Sequence, residues 1–220
     1  TTLFRSIVYV DKIYQDAFEQ VTRSGGKRYP EVSKAITQRI NEGSLLINYT
    51  GHGGEGGLAS ERVVTFEDIE QWDNKYRLPL LITATCEFTR FDDPGLVSAG
   101  ERSFLKPDGG SIGLLSTTRL VYAGANDKLT RKVFEQNIFQ RENGAHKPLG
   151  AIMTDAKNAY IRPGGDANNT RKFSLIGDPA LTLAYPEQEV VTTRINQRPF
   201  EGEGADSLKA LQKVTLKGEV

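Results

Sequence analysis

The chain has 220 residues, 38% apolar and 9% aromatic, with 28 basic side chains against 28 acidic ones. That is enough to bury the core of one α/β domain with a piece left over, and the balanced charge, free of long like-charged blocks, excludes disordered, fibrous and nucleic-acid-binding classes. No stretch approaches the roughly 18 consecutive apolar residues of a membrane span, and the single cysteine, Cys86, excludes an internal disulfide. The opening TTLFRSIVYV carries neither a basic leader nor an initiator Met, so the chain is expected to be soluble and a fragment of something longer.

In chain order, FRSIVYV (4–10) mixes β-branched and aromatic residues and predicts a strand. PEVSKAITQRINEG predicts a helix, with Val32, Ala35, Ile36 and Ile40 on one face and Gly43 as its stop. SLLINYT reads as a short strand covered on both faces and runs into the turn GHGG. TFEDIEQW places Thr65 three residues ahead of Asp68, the spacing of a capping box, and predicts a short helix. LPLLITAT and GGSIGLLSTT predict two further buried strands, the first ending at Cys86 and the second near Thr117 and Thr118. Two amphipathic helices follow: DKLTRKVFEQNIF, with Leu129, Val133, Phe134 and Ile138 inward, and PLGAIMTDAKNAY, with Leu149, Ile152, Met153, Ala156 and Tyr160 inward. Apolar strands alternating with helices predict an α/β fold, a mostly parallel sheet with helices on both faces. After Pro186 the texture turns alternating and β-rich (EVVTTRI, then LKALQKVTLKGEV), which places a domain boundary near residue 186: 1–185 form the α/β domain and 186–220 the first strands of a β domain.

His52 and Cys86 both stand just past the ends of predicted parallel strands, where open sheets collect ligands and chemistry. A thiol near its ordinary pKa of about 8.5 is only slightly ionised at neutral pH, so an imidazole beside it is needed to take its proton before attack on a carbonyl. The resulting oxyanion calls for unobstructed backbone N–H donors, for which Gly53 and Cys86 are the candidates. Against this stand plainer readings: a lone strand-end cysteine is commonly a small core hydrophobe, and GHGG a simple turn. Glu55 and Glu87 flank the pair and are candidates for orienting a basic substrate; Ser116, Thr117 and Thr118 are candidates for a pocket wall, or for turn capping. His146, in ENGAHKP, is expected to be solvated. The FDDPG turn (91–95) lacks the alternating ligand spacing of a calcium loop, so no metal and no cofactor is expected.

NYTGHGG followed by LLITATCEF resembles the caspase-like cysteine peptidases, in particular the gingipain family. GGSIGLLSTTRLVYAGAN resembles the strand and pocket loop after that family's nucleophile, and FSLIGDPALTL the segment closing its catalytic domain. The resemblance covers roughly residues 1 to 185 and implies a caspase-like three-layer sandwich lacking its first subdomain, with 186–220 opening an immunoglobulin-like domain. It implies Cys86 as nucleophile, His52 as general base, and the Gly53 and Cys86 amides as oxyanion hole. It does not extend to the acidic residue upstream of the histidine, the calcium sites or the Arg/Lys specificity of gingipains proper. Within the family the motifs look most like the sortases of the type IX secretion system. That implies an exported, peripheral enzyme at the bacterial outer membrane and cell surface, whose partners are cargo proteins bearing a C-terminal secretion signal, a lipopolysaccharide amine as acceptor, and outer-membrane secretion-complex proteins. A general gingipain-like protease and a non-catalytic scaffold of a secretion complex are the alternatives.

Overall fold

A computed structural model of the chain describes residues 8–136, 138–139, 141–186, 191–196, 198–200, 211 and 213–219. The chain divides into two compact units, Thr1–Leu183 and Ala184–Val220. The first is organised by a four-stranded sheet: β1 (Leu46–Thr50), β2 (Leu80–Ala84), β3 (Gly113–Thr117) and β4 (Phe173–Ile176), in the spatial order β4-β3-β2-β1. The first three strands run parallel, and β4 returns antiparallel to β3. Every residue of β2 and β3 is buried, as expected where helices cover both faces of a sheet.

The helices are α1 (Pro30–Glu42), α2 (Phe66–Glu70), α3 (Ala99–Leu105), α4 (Ala123–Glu135), α5 (Leu149–Ile161) and α6 (Ala167–Arg171). On one face, Val32 and Ile40 of α1, Ile69 of α2 and Ala99 of α3 join Trp72, Leu81 and Leu114 in one apolar cluster. Leu80 and Ile82, alternating with Leu81, point to the opposite face, where α4 packs on β2 and on α5. Each large aliphatic side chain so buried contributes about 1.5–3 kcal/mol. Local signals fix the helix starts. Pro30 occupies the first turn of α1; Thr65 and Asp68 form a reciprocal capping box on α2, the Thr65 N–H donating to Asp68 at 2.8 Å; Ser98 and Glu101 repeat it on α3.

Most predicted elements are present, with four differences. Of FRSIVYV, residues 4–7 lie outside the described residues and 8–10 are irregular. SLLINYT does form a strand, but, among the described residues, at the edge of the sheet, with Asn48 and Thr50 exposed; the polar residues alternating at its end mark a face that is not covered. The α4 helix begins earlier than its apolar pattern and stops at Glu135, leaving Ile138 buried beyond its end. The short helices α3 and α6 were not expected, because one or two turns give periodicity too little length to register. In the second unit, Val191–Ile195 pairs antiparallel with Arg198–Pro199 and with Leu216–Glu219; the stretch EGEGAD lies outside the described residues. Among the described residues no helix is long and apolar enough to cross a membrane.

Candidate active site

β1 and β2 are paired in parallel from Leu46↔Leu80 to Thr50↔Ala84. The pairing runs on one step past the strands, the Gly51 N–H donating to the Ala84 carbonyl at 3.4 Å. His52 and Cys86 are each two residues beyond the last pair, past the carboxyl ends of two neighbouring strands; paired strands lie about 4.8 Å apart where the ladder ends.

The His52 backbone is held from two directions. Its carbonyl accepts from the Ala59 N–H at 2.7 Å and from the Tyr49 hydroxyl at 2.7 Å. Burial pushes the Tyr49 phenol up to about 12, so it stays a donor across the working pH range. The Tyr49 ring can fold over the chain only because residue 51 is glycine: a Cβ there would lie 2.6 Å from the phenol oxygen. Beyond His52, Gly53–Gly54 pairs antiparallel with Gly57–Leu58. Because Ala59 N–H bonds the His52 carbonyl, Gly53 and Leu58 form a non-hydrogen-bonded pair, and the Gly53 N–H is directed away from the ribbon. Gly53 also lies against Thr85, the residue before the cysteine, with only 2.6 Å between its missing Cβ and the Thr85 hydroxyl oxygen. The imidazole is exposed and has no polar partner among the described residues.

Cys86 is half-buried, its thiol donating a weak hydrogen bond to the Val121 carbonyl at 3.7 Å. Its own N–H meets no acceptor among the described residues. Immediately after it, Glu87 adopts a left-handed φ of 49°, and Phe88 dives into the core, fully buried; this turn lifts Cys86 out of the strand onto the rim. The first turn of α3 ties this loop to the histidine loop. The Ala99 N–H donates to the Glu55 carbonyl at 2.7 Å and the Gly100 N–H to the Phe88 carbonyl at 2.8 Å. Gly100 is required there, since a Cβ would approach the Phe88 oxygen to 2.7 Å.

The model of peptidase family C25 matches residues 1–184. The chain belongs to family C25, the gingipain-like cysteine peptidases. Solved structures agree on the fold. The complex of Porphyromonas gingivalis RgpB pro- and mature domains superposes with a TM-score of 0.62 at 18% identity, covering 73% of this chain and 40% of that one. The Arg-specific cysteine proteinase gingipain R (RgpB) gives 0.58 at 22% identity, covering 73% and 39%. The C25 chain thus has the caspase-like α/β fold and spans about 40% of the length of the structures it matches. No curated protein matches it.

The remaining candidates of this C25 domain have other surroundings than the sequence suggested. The Glu55 carboxylate accepts from Arg90 Nη1 at 2.5 Å, and Glu87 lies 3.9 Å from the same nitrogen; both acids face a half-exposed cation of this chain. Ser116 and Thr117 are fully buried: Ser116 accepts from the Thr83 hydroxyl at 2.6 Å, and Thr117 donates to the Thr85 carbonyl at 2.5 Å. They clamp β3 to β2 rather than line a subsite, because strand alternation turns them into the sheet layers. Thr118 is half-buried and donates to the Lys172 carbonyl at 3.3 Å. In the FDDPG turn, Asp92 pairs with Arg119, which holds its carboxyl below the usual range, and Asp93 accepts from the Gly95 N–H at 2.9 Å. His146 is half-buried in a short hairpin strand rather than solvated. Sequence reasoning missed Tyr49, Thr85, Arg90 and Gly100. Only Gly100, a glycine in the first turn of a helix, carries a signal by which it was findable.

Proposed function

We propose that this chain is the core of a cysteine endopeptidase in which Cys86 is the nucleophile and His52 the general base. The observation that carries the reading is the shared register: two chemically complementary side chains at the same step past two paired strands, on loops stitched to one helix turn. On substrate binding the thiol gives up its weak bond to Val121, since a carbonyl oxygen repels a thiolate, and passes its proton to His52. The sulfur attacks the scissile carbonyl; the N–H groups of Gly53 and Cys86 receive the oxyanion. Collapse transfers the proton from the imidazolium to the leaving amine and leaves a thioester, which water or an amine acceptor resolves. The test is alkylation by iodoacetamide near neutral pH with mapping of the adduct. Modification at Cys86 that slows at least tenfold in His52→Ala supports the pair; an inert Cys86 in a folded protein marks a scaffold instead.

The motif wording around NYTGHGG and LLITATCEF supports the finer reading that this enzyme is a sortase of the type IX secretion system. It removes the C-terminal signal domain of exported cargo at the outer-membrane surface and passes the acyl group to a lipopolysaccharide amine, beside the other proteins of the secretion complex. In the same reading residues 186–220 open an immunoglobulin-like domain. Incubating wild type and Cys86→Ala with cargo carrying its signal domain decides it: shortened product, part of it carrying a sugar-linked amine, is expected from the wild type alone. Cleavage of generic Arg or Lys peptides at comparable rates identifies a general gingipain-like protease.

A further inference from the structure

Beside His52 lies an open cavity of about 570 Å³, within the roughly 300–1,000 Å³ range of ligand clefts. Its wall includes His52, Gly54, Gly56, Arg62, Thr65 and Glu67. Cys86 is not part of that wall. The glycines of this wall fall into two kinds. Gly53 and Gly57 are dictated by the fold: Gly53 touches Thr85, and Gly57 has a φ of 144° with the Val64 carbonyl 2.0 Å from where a Cβ would stand. Gly54 and Gly56 are not. Neither has a positive φ, and a Cβ on either meets no atom within 4 Å. A glycine that could be alanine costs folding entropy without returning any packing. What these two leave free is the cavity itself.

The chemistry of acyl transfer identifies the occupant. The acyl half of the substrate stays bonded to the Cys86 sulfur, while the amine half receives its proton from the imidazole and departs on the histidine side. A cleft bounded by His52 and not by Cys86 lies on that amine side. We infer that this cavity binds the stretch of polypeptide C-terminal to the cleaved bond, its main chain laid along Gly54–Gly56, and that these two glycines set the size of residue admitted there. The inference rests on the Cys86/His52 reading. Arg62 and Glu67 bring opposite charges to the wall, so selection is by bulk rather than by net charge.

The experiment uses Gly54→Val and Gly56→Val in the full chain with two substrate pools. Peptidyl aminocoumarin amides place only the dye beyond the cleaved bond; internally quenched peptides extend several residues past it. The ratio of kcat/KM, extended over amide, should fall roughly tenfold in either variant, with substrates bearing Leu or Phe just after the bond lost before those bearing Gly or Ala. An unchanged ratio overturns the inference. Should the wild type turn over neither pool, the dyad reading fails and the cavity is judged by binding: fluorescein-labelled short peptides with free N-termini, titrated onto Cys86→Ala by anisotropy. Affinity lowered by adding Gly54→Val upholds the site, and equal or absent binding overturns it.

Discussion

Removing a single oxygen atom, by Tyr49→Phe, probes how His52 is held. The Tyr49 hydroxyl donates to the His52 carbonyl at 2.7 Å, and that carbonyl keeps its second bond from Ala59, also 2.7 Å. Nothing is left orphaned, so the cost is one net hydrogen bond, about 0.5–1.5 kcal/mol, or roughly 2–4 °C in Tm for each kcal/mol in a unit of this size. Gly51→Ala reaches the same bond by another route. Its Cβ would stand 2.6 Å from the phenol oxygen and 3.0 Å from Cζ, forcing the ring off the loop, for an overpacking cost of about 1–3 kcal/mol in addition to the lost bond. Because both variants break one interaction, the double variant should be less destabilised than the sum by about 1 kcal/mol. Urea melts of the four proteins measure this cycle. In parallel, the rate of Cys86 alkylation should drop about fivefold in Tyr49→Phe, the equivalent of about 1 kcal/mol of positioning. Additivity to within about 0.5 kcal/mol, or alkylation at the wild-type rate, refutes the claim that Tyr49 positions His52.

Three further outcomes follow from the same geometry. Ser116→Ala strands the buried Thr83 hydroxyl that donates to it at 2.6 Å and should cost about 1–3 kcal/mol with no change in KM; a KM effect without a stability loss would restore Ser116 to a substrate pocket. Gly100→Ala puts a methyl 2.7 Å from the Phe88 carbonyl, so it should destabilise by about 1–3 kcal/mol and slow Cys86 alkylation, whereas a wild-type melt with full reactivity contradicts the stitching role of α3. Burial raises the Tyr49 phenol to about 12 from its ordinary value of 10.0. The folded state therefore retains a proton that the unfolded chain loses between those values, and stability present below pH 10 drains away as pH rises through 12. The urea midpoint of the wild type should fall more steeply across that window than that of Tyr49→Phe; equal slopes deny that burial holds the proton.

What the sequence made legible is what residue type alone encodes. LPLLITAT and GGSIGLLSTT announce buried strands because no charged residue interrupts them, and both are buried throughout. The capping box at Thr65 and Asp68 is local chemistry, readable as spacing, and its hydrogen bonds are present. The status of β1 as an edge strand was legible too, in the exposed Asn48 and Thr50, but its apolar start outweighed them. Ser116 and Thr117 misled because a hydroxyl at a strand end serves a pocket and a strand clamp equally well; which it serves depends on the alternation of the strand, fixed by a register with β2 that composition does not carry.

That His52 and Cys86 follow two paired strands was legible for a different reason. Two apolar runs joined by a helical crossover are expected to pair in parallel, and β1 and β2 do. The 34-residue interval between Thr50 and Ala84 recurs between His52 and Cys86. Much of the rest of the site is tied by main chain, Ala59 to His52, Ala99 to Glu55, Gly100 to Phe88, with the Tyr49 hydroxyl adding a side-chain bond to His52 and glycines at the points of closest approach. Backbone donors and acceptors are the same in every residue, so such ties leave no mark in a sequence beyond the glycine that makes room. That construction also divides the work. The loops are held by groups that carry no chemistry, which, among the described residues, leaves the imidazole and the cysteine N–H without competing partners and the thiol with only a weak one. The proposed peptide site therefore rests on Gly54 and Gly56, the two glycines of the cavity wall at which a Cβ would meet no atom within 4 Å.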